Sequence, residues 1–140
     1  MMSELTIDLY SFGYQFSGIP EDLTANNGGF VFDCRFLPNP GRDPAYFELT
    51  GKDPEVEEYL HKFPQVKQFL ASMISIVDMA ISNYKQRGFT HLMISFGCTG
   101  GQHRSVYCAE KLNKYLVTQS VKVNLHHIEL DKYIQNKINQ

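Results

Sequence analysis

Apolar and polar residues alternate from Leu5 to Tyr10, the period-two signature of a half-buried strand. After a stretch containing Gly and Asn up to Gly29, the run Phe30-Val31-Phe32 predicts a second, buried strand that ends at Asp33. From Cys34 to Lys52 the chain holds Pro38, Pro40, Gly41, Pro44 and Gly51, which predicts a long segment without regular structure. A loop of that length in a compact domain is usually functional or disordered. Asp53-Pro54 then opens a helix, with Asp53 as its side-chain cap and Pro54 at the first helical position; Glu55, Glu57 and Glu58 complement the dipole. Val56, Tyr59, Leu60 and Phe63 form its apolar stripe.

The longest helix is predicted from Pro64 to about Arg87, with Gly88 as terminator. Val66, Phe69, Leu70, Met73, Val77, Ala80, Ile81 and Tyr84 recur in it at spacings of three and four. His91 to Phe96 reads as an apolar strand, 103 to about 118 as a helix with Val106, Ala109, Leu112 and Leu116 inward, and Val121 to Leu125 as a further strand. That strand, crossover helix and strand form a right-handed βαβ unit and imply a parallel pair. A short helix is expected over Asp131 to Asn139. The class is therefore α/β, one three-layer-like domain with a mixed, partly parallel sheet. No internal repeat or linker divides the chain.

Length and composition agree with one soluble domain: 140 residues, 43% apolar and 20% charged. No apolar run is long enough for a membrane span and the first ten residues lack the features of a signal peptide, so a cytoplasmic address and no membrane partner are expected. Cys34, Cys98 and Cys108 are too few for a disulfide scaffold and lack a zinc pattern, so reduced thiols and no metal are expected. Net charge is −2, but residues 1–60 carry 3 basic and 11 acidic side chains against 10 and 4 in residues 61–140. The two halves are expected to present opposite faces, the basic one open to an anion or nucleic acid.

The chemistry concentrates between the third strand and the helix after it, in Phe96-Gly97-Cys98-Thr99-Gly100-Gly101-Gln102-His103-Arg104-Ser105. Gly97, Gly100 and Gly101 allow close backbone approach to an anion, the helix start offers unpaired N–H groups, and Thr99, Arg104 and Ser105 add hydrogen bonds. Phosphate is the natural guest. The loop is neither a Walker A motif nor the G-x-G-x-x-G dinucleotide fingerprint. It does read C-x-x-G-x-x-R-S, resembling the phosphate loop of cysteine-dependent phosphatases, in which Cys98 would attack phosphorus and Arg104 would hold the oxygens. The other reading of Cys98 is a small side chain tucked beneath the loop.

Three segments together resemble the C-terminal domain of the RNase adapter RapZ family: Asp33-Cys34-Arg35-Phe36-Leu37-Pro38-Asn39-Pro40, Leu49-Thr50-Gly51-Lys52-Asp53 and Gly97 through Val106. The Ser11-Phe12-Gly13-Tyr14 turn is similar, and the likeness runs from about Ile7 to His127. In that bacterial family the domain follows an N-terminal P-loop domain, so the expectation is a stand-alone version. The resemblance implies a fold similar to a phosphofructokinase subdomain, a pocket for glucosamine-6-phosphate or a similar anion, and RNA binding that presents a small RNA to RNase E. The pocket positions it carries over are Asp33, Arg35, Cys98, Thr99, Gly100, Gly101, His103 and Arg104. The family's basic C-terminal run is replaced here by Asn124 to Lys132, and Gln102 stands where lysine is frequent.

The residues themselves leave several roles open. Asp33 and Arg35 converge on the glycine loop if their strands are neighbours, either as ligand contacts or as a pair bracing the loop. His103 either contacts the anion or caps the helix. His126 and His127 are adjacent on a strand, so only one can face a given site. Lys111, Lys114, Lys122 and Lys132 are the candidates for weak RNA contacts. The expected function is a non-enzymatic module that binds a phosphorylated metabolite without a cofactor and couples it to RNA or protein. The alternatives are the phosphatase and a purely structural interaction domain; self-association as a homo-oligomer is left open.

Overall fold

The alternation that starts at Leu5 becomes β1 (Thr6–Gly13), and the Phe30 run becomes β2 (Gly29–Asp33), in a computed structural model that describes residues 4–138. Helices α1 (Pro54–His61) and α2 (Pro64–Gln86) precede β3 (His91–Cys98), and α3 (Arg104–Leu116) precedes β4 (Lys122–His127). The last helix, α4 (Ile128–Ile138), begins three residues before the expected Asp131, and the expected end at Asn139 lies outside the described residues. No helix among the described residues is long and apolar enough to cross a membrane.

The sheet order is β2-β3-β1-β4, and all three pairings are parallel. The α/β expectation holds, and where the sequence suggests a mixed sheet the pairing is parallel throughout. Of the strands consecutive in the chain only β2 and β3 are neighbours, and because every pairing is parallel no hairpin occurs and every link must return the chain to the same end. The β3–α3–β4 unit is parallel, but β1 lies between its two strands rather than leaving them paired. For the same reason the acidic and basic halves do not form opposite faces: their strands interleave, and Lys111 on α3 pairs with Glu57 on α1 at 2.5 Å.

Register decides the faces. Ile7 and Leu9 align with Leu92 and Ile94 on one side and Val123 and Leu125 on the other, while Phe30 and Phe32 align with Ile94 and Phe96. Val56 and Leu60 of α1, Val66, Met73, Val77 and Ile81 of α2, and Ala109, Leu112 and Leu116 of α3 pack on that face. Each fully buried Leu, Ile or Val stabilises the fold by about 1.5–3 kcal/mol relative to exposure. The opposite face is more polar: Asn124 donates to Asp8 at 3.1 Å and the Tyr10 ring stacks on His126 at 5.2 Å. The 14–28 loop borders it, with Tyr14 edge-on to Phe12 and Asn26 at the His91 carbonyl. Ser11, Phe12 and Gly13, expected in a turn, continue β1, and the ladder runs on as Tyr14 and Gln15 donate to Cys98 and Thr99 carbonyls.

His127 ends β4 on the core face. Its Nδ1 lies 2.6 Å from Ser11 Oγ and its Nε2 2.8 Å from a Glu110 carboxylate oxygen, so one ring ties β1, β4 and α3 together. His126, the neighbour, faces the other way, as strand alternation requires.

The 34–52 segment is ordered. The expectation of no regular structure gives way to two 3-10 turns, Pro40–Arg42 and Pro44–Tyr46, each begun by a proline, with Asn39 and Asp43 side chains accepting from Gly41 and Ala45 N–H. Asp53 sits at the α1 N-cap but makes no capping bond; its carboxylate turns back to accept from Thr50 N–H at 2.7 Å. Three consecutive side chains entering α3 hold the segment. Gln102 donates to the Phe47 and Leu49 carbonyls (2.8 and 2.7 Å), His103 Nε2 donates to Tyr46 O (2.8 Å), and Arg104 donates to Arg35 O and Leu37 O (2.6 and 3.1 Å). Gly51 closes the far end: a Cβ there would lie 2.3 Å from Tyr107 N and 2.4 Å from His103 O.

Two outcomes follow. Burial depresses the His127 pKa, with Glu110 opposing, so the folded ring stays neutral while the unfolded chain takes up a proton. Stability present above about pH 6.5 is therefore lost as pH falls through that value, a window distinct from the carboxylates, whose lowered pKa values act below about pH 4.3. The urea midpoint should drop between about pH 7.5 and about pH 5.5, and His127→Gln should flatten that drop; equal slopes would exclude His127 as its source. Arg104→Met should cost about 1.5–3 kcal/mol and accelerate amide exchange across residues 35–49, whereas unchanged exchange would mean that Arg104 does not hold the segment.

Candidate ligand-binding site

The loop from Thr99 to His103 stands at the C-terminal ends of β3 and β1, with the end of β2 beside it, the edge of an open parallel sheet where ligands commonly bind. Its glycines serve the protein's own packing more than an open cradle. Gly101 has φ +72°, and a Cβ on it would fall 2.4 Å from Glu129 Cγ and 2.7 Å from Gly13 N. A Cβ on Gly97 would meet the Phe12 and Tyr14 rings at 2.4 and 2.6 Å. Only Gly100 of the three faces open space.

Beneath the loop, Cys98 is 3% exposed and continues the core-facing series Leu92, Ile94, Phe96. Its thiol donates to Ser105 Oγ at 3.1 Å, and Ser105 is itself fully buried. Cys34 and Cys108 are buried alongside; burial pushes the Cys34 thiol up, and contact with Cys108 adds to it. Cys98 thus lies beneath the loop with its thiol on Ser105.

Asp33 and Arg35 belong to neighbouring backbone and form a two-pronged ion pair at 2.7 Å, about half exposed, with the Arg35 guanidinium 3.8 Å above the Tyr14 ring. The Arg35 hydrogen bonds hold the Asp33 carboxyl below its usual range and raise Arg35 in turn. The pair packs against Tyr14, and Arg35 also borders a cavity of about 520 Å³. That cavity gathers Arg35, Arg42 and Arg104 around Thr99, Asn39 and Tyr59, with Asp43 as its one carboxylate. Arg104 is 5% exposed, and its Nε is buried with no partner among the described residues. Its second amino group lies 3.5 Å from Thr99 Oγ1. Three guanidinium groups against one carboxylate make an anion the fitting occupant of the cavity.

The structure therefore brings Arg35, Thr99 and Arg104 together, with Asp33 behind Arg35. It separates others from that cavity: Cys98 and Ser105 lie beneath, Gly101 packs on Gly13, His103 is engaged with Tyr46 O, and Gly100 borders a different hollow. Arg42 and Asn39 escape the sequence reading; the available signal is a basic residue one glycine beyond the Leu37-Pro38-Asn39-Pro40 run. Among the four lysines, Lys111 pairs with Glu57 and Lys132 donates to Ser17 Oγ at 2.5 Å, whereas Lys114 and Lys122 are exposed, Lys122 at the opposite end of the sheet.

Residues 5–131 match the model of the RapZ C-terminal domain family. A nucleotide-binding protein of Heliobacterium modesticaldum is 38% identical over 130 residues, covering 93% of this chain and 41% of that protein. One of Moorella thermoacetica is 39% identical over 130 residues, covering 93% and 42%, and one of Nitrosomonas eutropha 41% identical over 133 residues, covering 95% and 44%. The chain spans rather less than half the length of these relatives. With the family's match covering nearly every described element from β1 to the start of α4, the chain belongs to the RapZ C-terminal domain family.

Proposed function

We propose that the chain is a regulatory binding module that takes a phosphorylated metabolite, an amino-sugar phosphate such as glucosamine-6-phosphate, in the arginine-lined cavity. The observation that carries this reading is the convergence of Arg35, Arg42 and Arg104 on one cavity with a single carboxylate, Asp43, in its wall. Three guanidinium groups suit the phosphate dianion, and the Asp43 carboxylate in the same wall suits the sugar's ammonium. Volume in this range accepts a small metabolite. Binding would act on the 34–52 segment, because the guanidinium that meets the ligand also holds the Arg35 and Leu37 carbonyls. RNA enters the proposal as a weak, salt-dependent partner of the exposed Lys114 and Lys122.

Arg42 is exposed and makes no hydrogen bond through its side chain among the described residues, so Arg42→Ala should leave Tm unchanged while weakening glucosamine-6-phosphate about tenfold in isothermal titration. Equal affinity in variant and wild type would remove the cavity from consideration.

Turnover is not expected, since the Cys98 thiol faces Ser105 and the core. Cys98→Ser should retain ligand binding, and neither protein should release product from an aryl phosphate above the buffer rate. Hydrolysis by wild type that disappears in Cys98→Ser would instead establish the phosphatase.

A further inference from the structure

On the other side of the Thr99–His103 loop lies a larger hollow, of about 730 Å³, that shares no lining residue with the arginine cavity. Its walls come from the start of the 14–28 loop, from residues 47–50 and from α4, and Gly100 and Gln102 line it from the glycine loop. Three aromatic rings gather there while remaining largely in solvent: Phe16 is 72% exposed, Phe47 53% and Tyr133 54%. Rings this exposed around one concavity mark a binding surface rather than ordinary surface scatter.

The polar groups narrow the chemistry. Glu129 is fully engaged, accepting from Gly13 N–H, Ser17 N–H and Ser17 Oγ at 2.9, 3.2 and 2.9 Å. The Gln102 amide nitrogen and the Lys132 ammonium are likewise committed, to backbone carbonyls and to Ser17. Glu48 and Asn136 line the hollow, and their side chains make no hydrogen bond among the described residues. Two carboxylates against one ammonium disfavour a phosphate here, while a free carboxylate and a free amide suit the amino and ring N–H groups of a flat, uncharged heterocycle. The volume lies within the 300–1,000 Å³ or so of small-molecule sites.

We propose that this hollow binds a purine nucleoside, with the base stacked against the Phe16 and Phe47 rings and its hydrogen-bonding edge toward Glu48 and Asn136. A purine gives the larger stacking face, and aromatic stacking is the contact these side chains can supply. Gly100 forms part of the floor: a Cβ on it meets nothing within 4 Å, so a side chain placed there enters the hollow without disturbing the fold.

The test is a titration of the uniformly labelled full chain with adenosine and with guanosine, followed by amide chemical shifts. Saturable shifts are expected at Gly100, Gln102 and Tyr133 and not at Arg104. Gly100→Leu should abolish them with Tm unchanged, and Phe16→Ala should weaken affinity about tenfold while leaving glucosamine-6-phosphate affinity at its wild-type value. Should Gly100→Leu lose stability, Phe16→Ala decides alone. The proposal is overturned by absence of shifts at millimolar nucleoside, by shifts that survive Gly100→Leu, by an unchanged affinity in Phe16→Ala, or by shifts centred on Thr99 and Arg104. It is equally overturned if the same residues shift with protein concentration alone while sedimentation shows a dimer, which would make the hollow an interface between copies. Failure of the sugar phosphate to bind, with nucleoside shifts intact, would count against the arginine cavity only.

Discussion

A buried guanidinium must find acceptors, and Arg104 finds them in the main chain of a segment some seventy positions earlier. Removing that pairing would strand a charge on one side and two carbonyls on the other. The geometry of the 34–52 segment therefore rests on the start of α3, and the cavity between them exists because the guanidinium is held at its edge rather than extended into solvent. Gln102 and His103 repeat the arrangement on the adjacent turn, so three successive residues fix a stretch that has little regular hydrogen bonding of its own.

The same arginine explains why a loop with a phosphatase-like spacing need not be a phosphatase loop. Spacing places a cysteine and an arginine six positions apart across a strand end; it does not say which side of the sheet the thiol faces. Here strand parity aims Cys98 at the core, and Ser105 receives its hydrogen. The glycines divide in the same way. A glycine can admit a ligand or another backbone, and at Gly101 and Gly13 the approach is backbone to backbone.

Much of the fold was legible because the core stripes are regular. The eight apolar positions of α2, the alternation in β1 and the apolar run of β3 locate the elements to within a few residues, and the prolines and glycines mark their ends. Pairing order was not legible, since period-two patterns state which face is buried but not which strand lies alongside. The site was readable where chemistry clusters in sequence, as in Thr99 and Arg104. It was unreadable where a residue such as Arg42 or Phe16 acquires its role only when distant segments meet, and where a side chain that could serve a ligand, such as His103, is claimed by a carbonyl in the folded chain.

The placement of β1 bears on how the molecule comes to exist. This strand is synthesised before both of its neighbours, and its Ser11 and the His127 it meets on β4 are 116 residues apart. During translation β1 emerges with two unsatisfied edges, gains one neighbour only when β3 has formed, and is enclosed only when β4 arrives. Such distant pairings slow folding, because the loops must close before the contacts that reward closure can form. An interrupted chain ending after α3 would carry a bare, apolar central strand, the kind of edge that recruits other strands or chaperones.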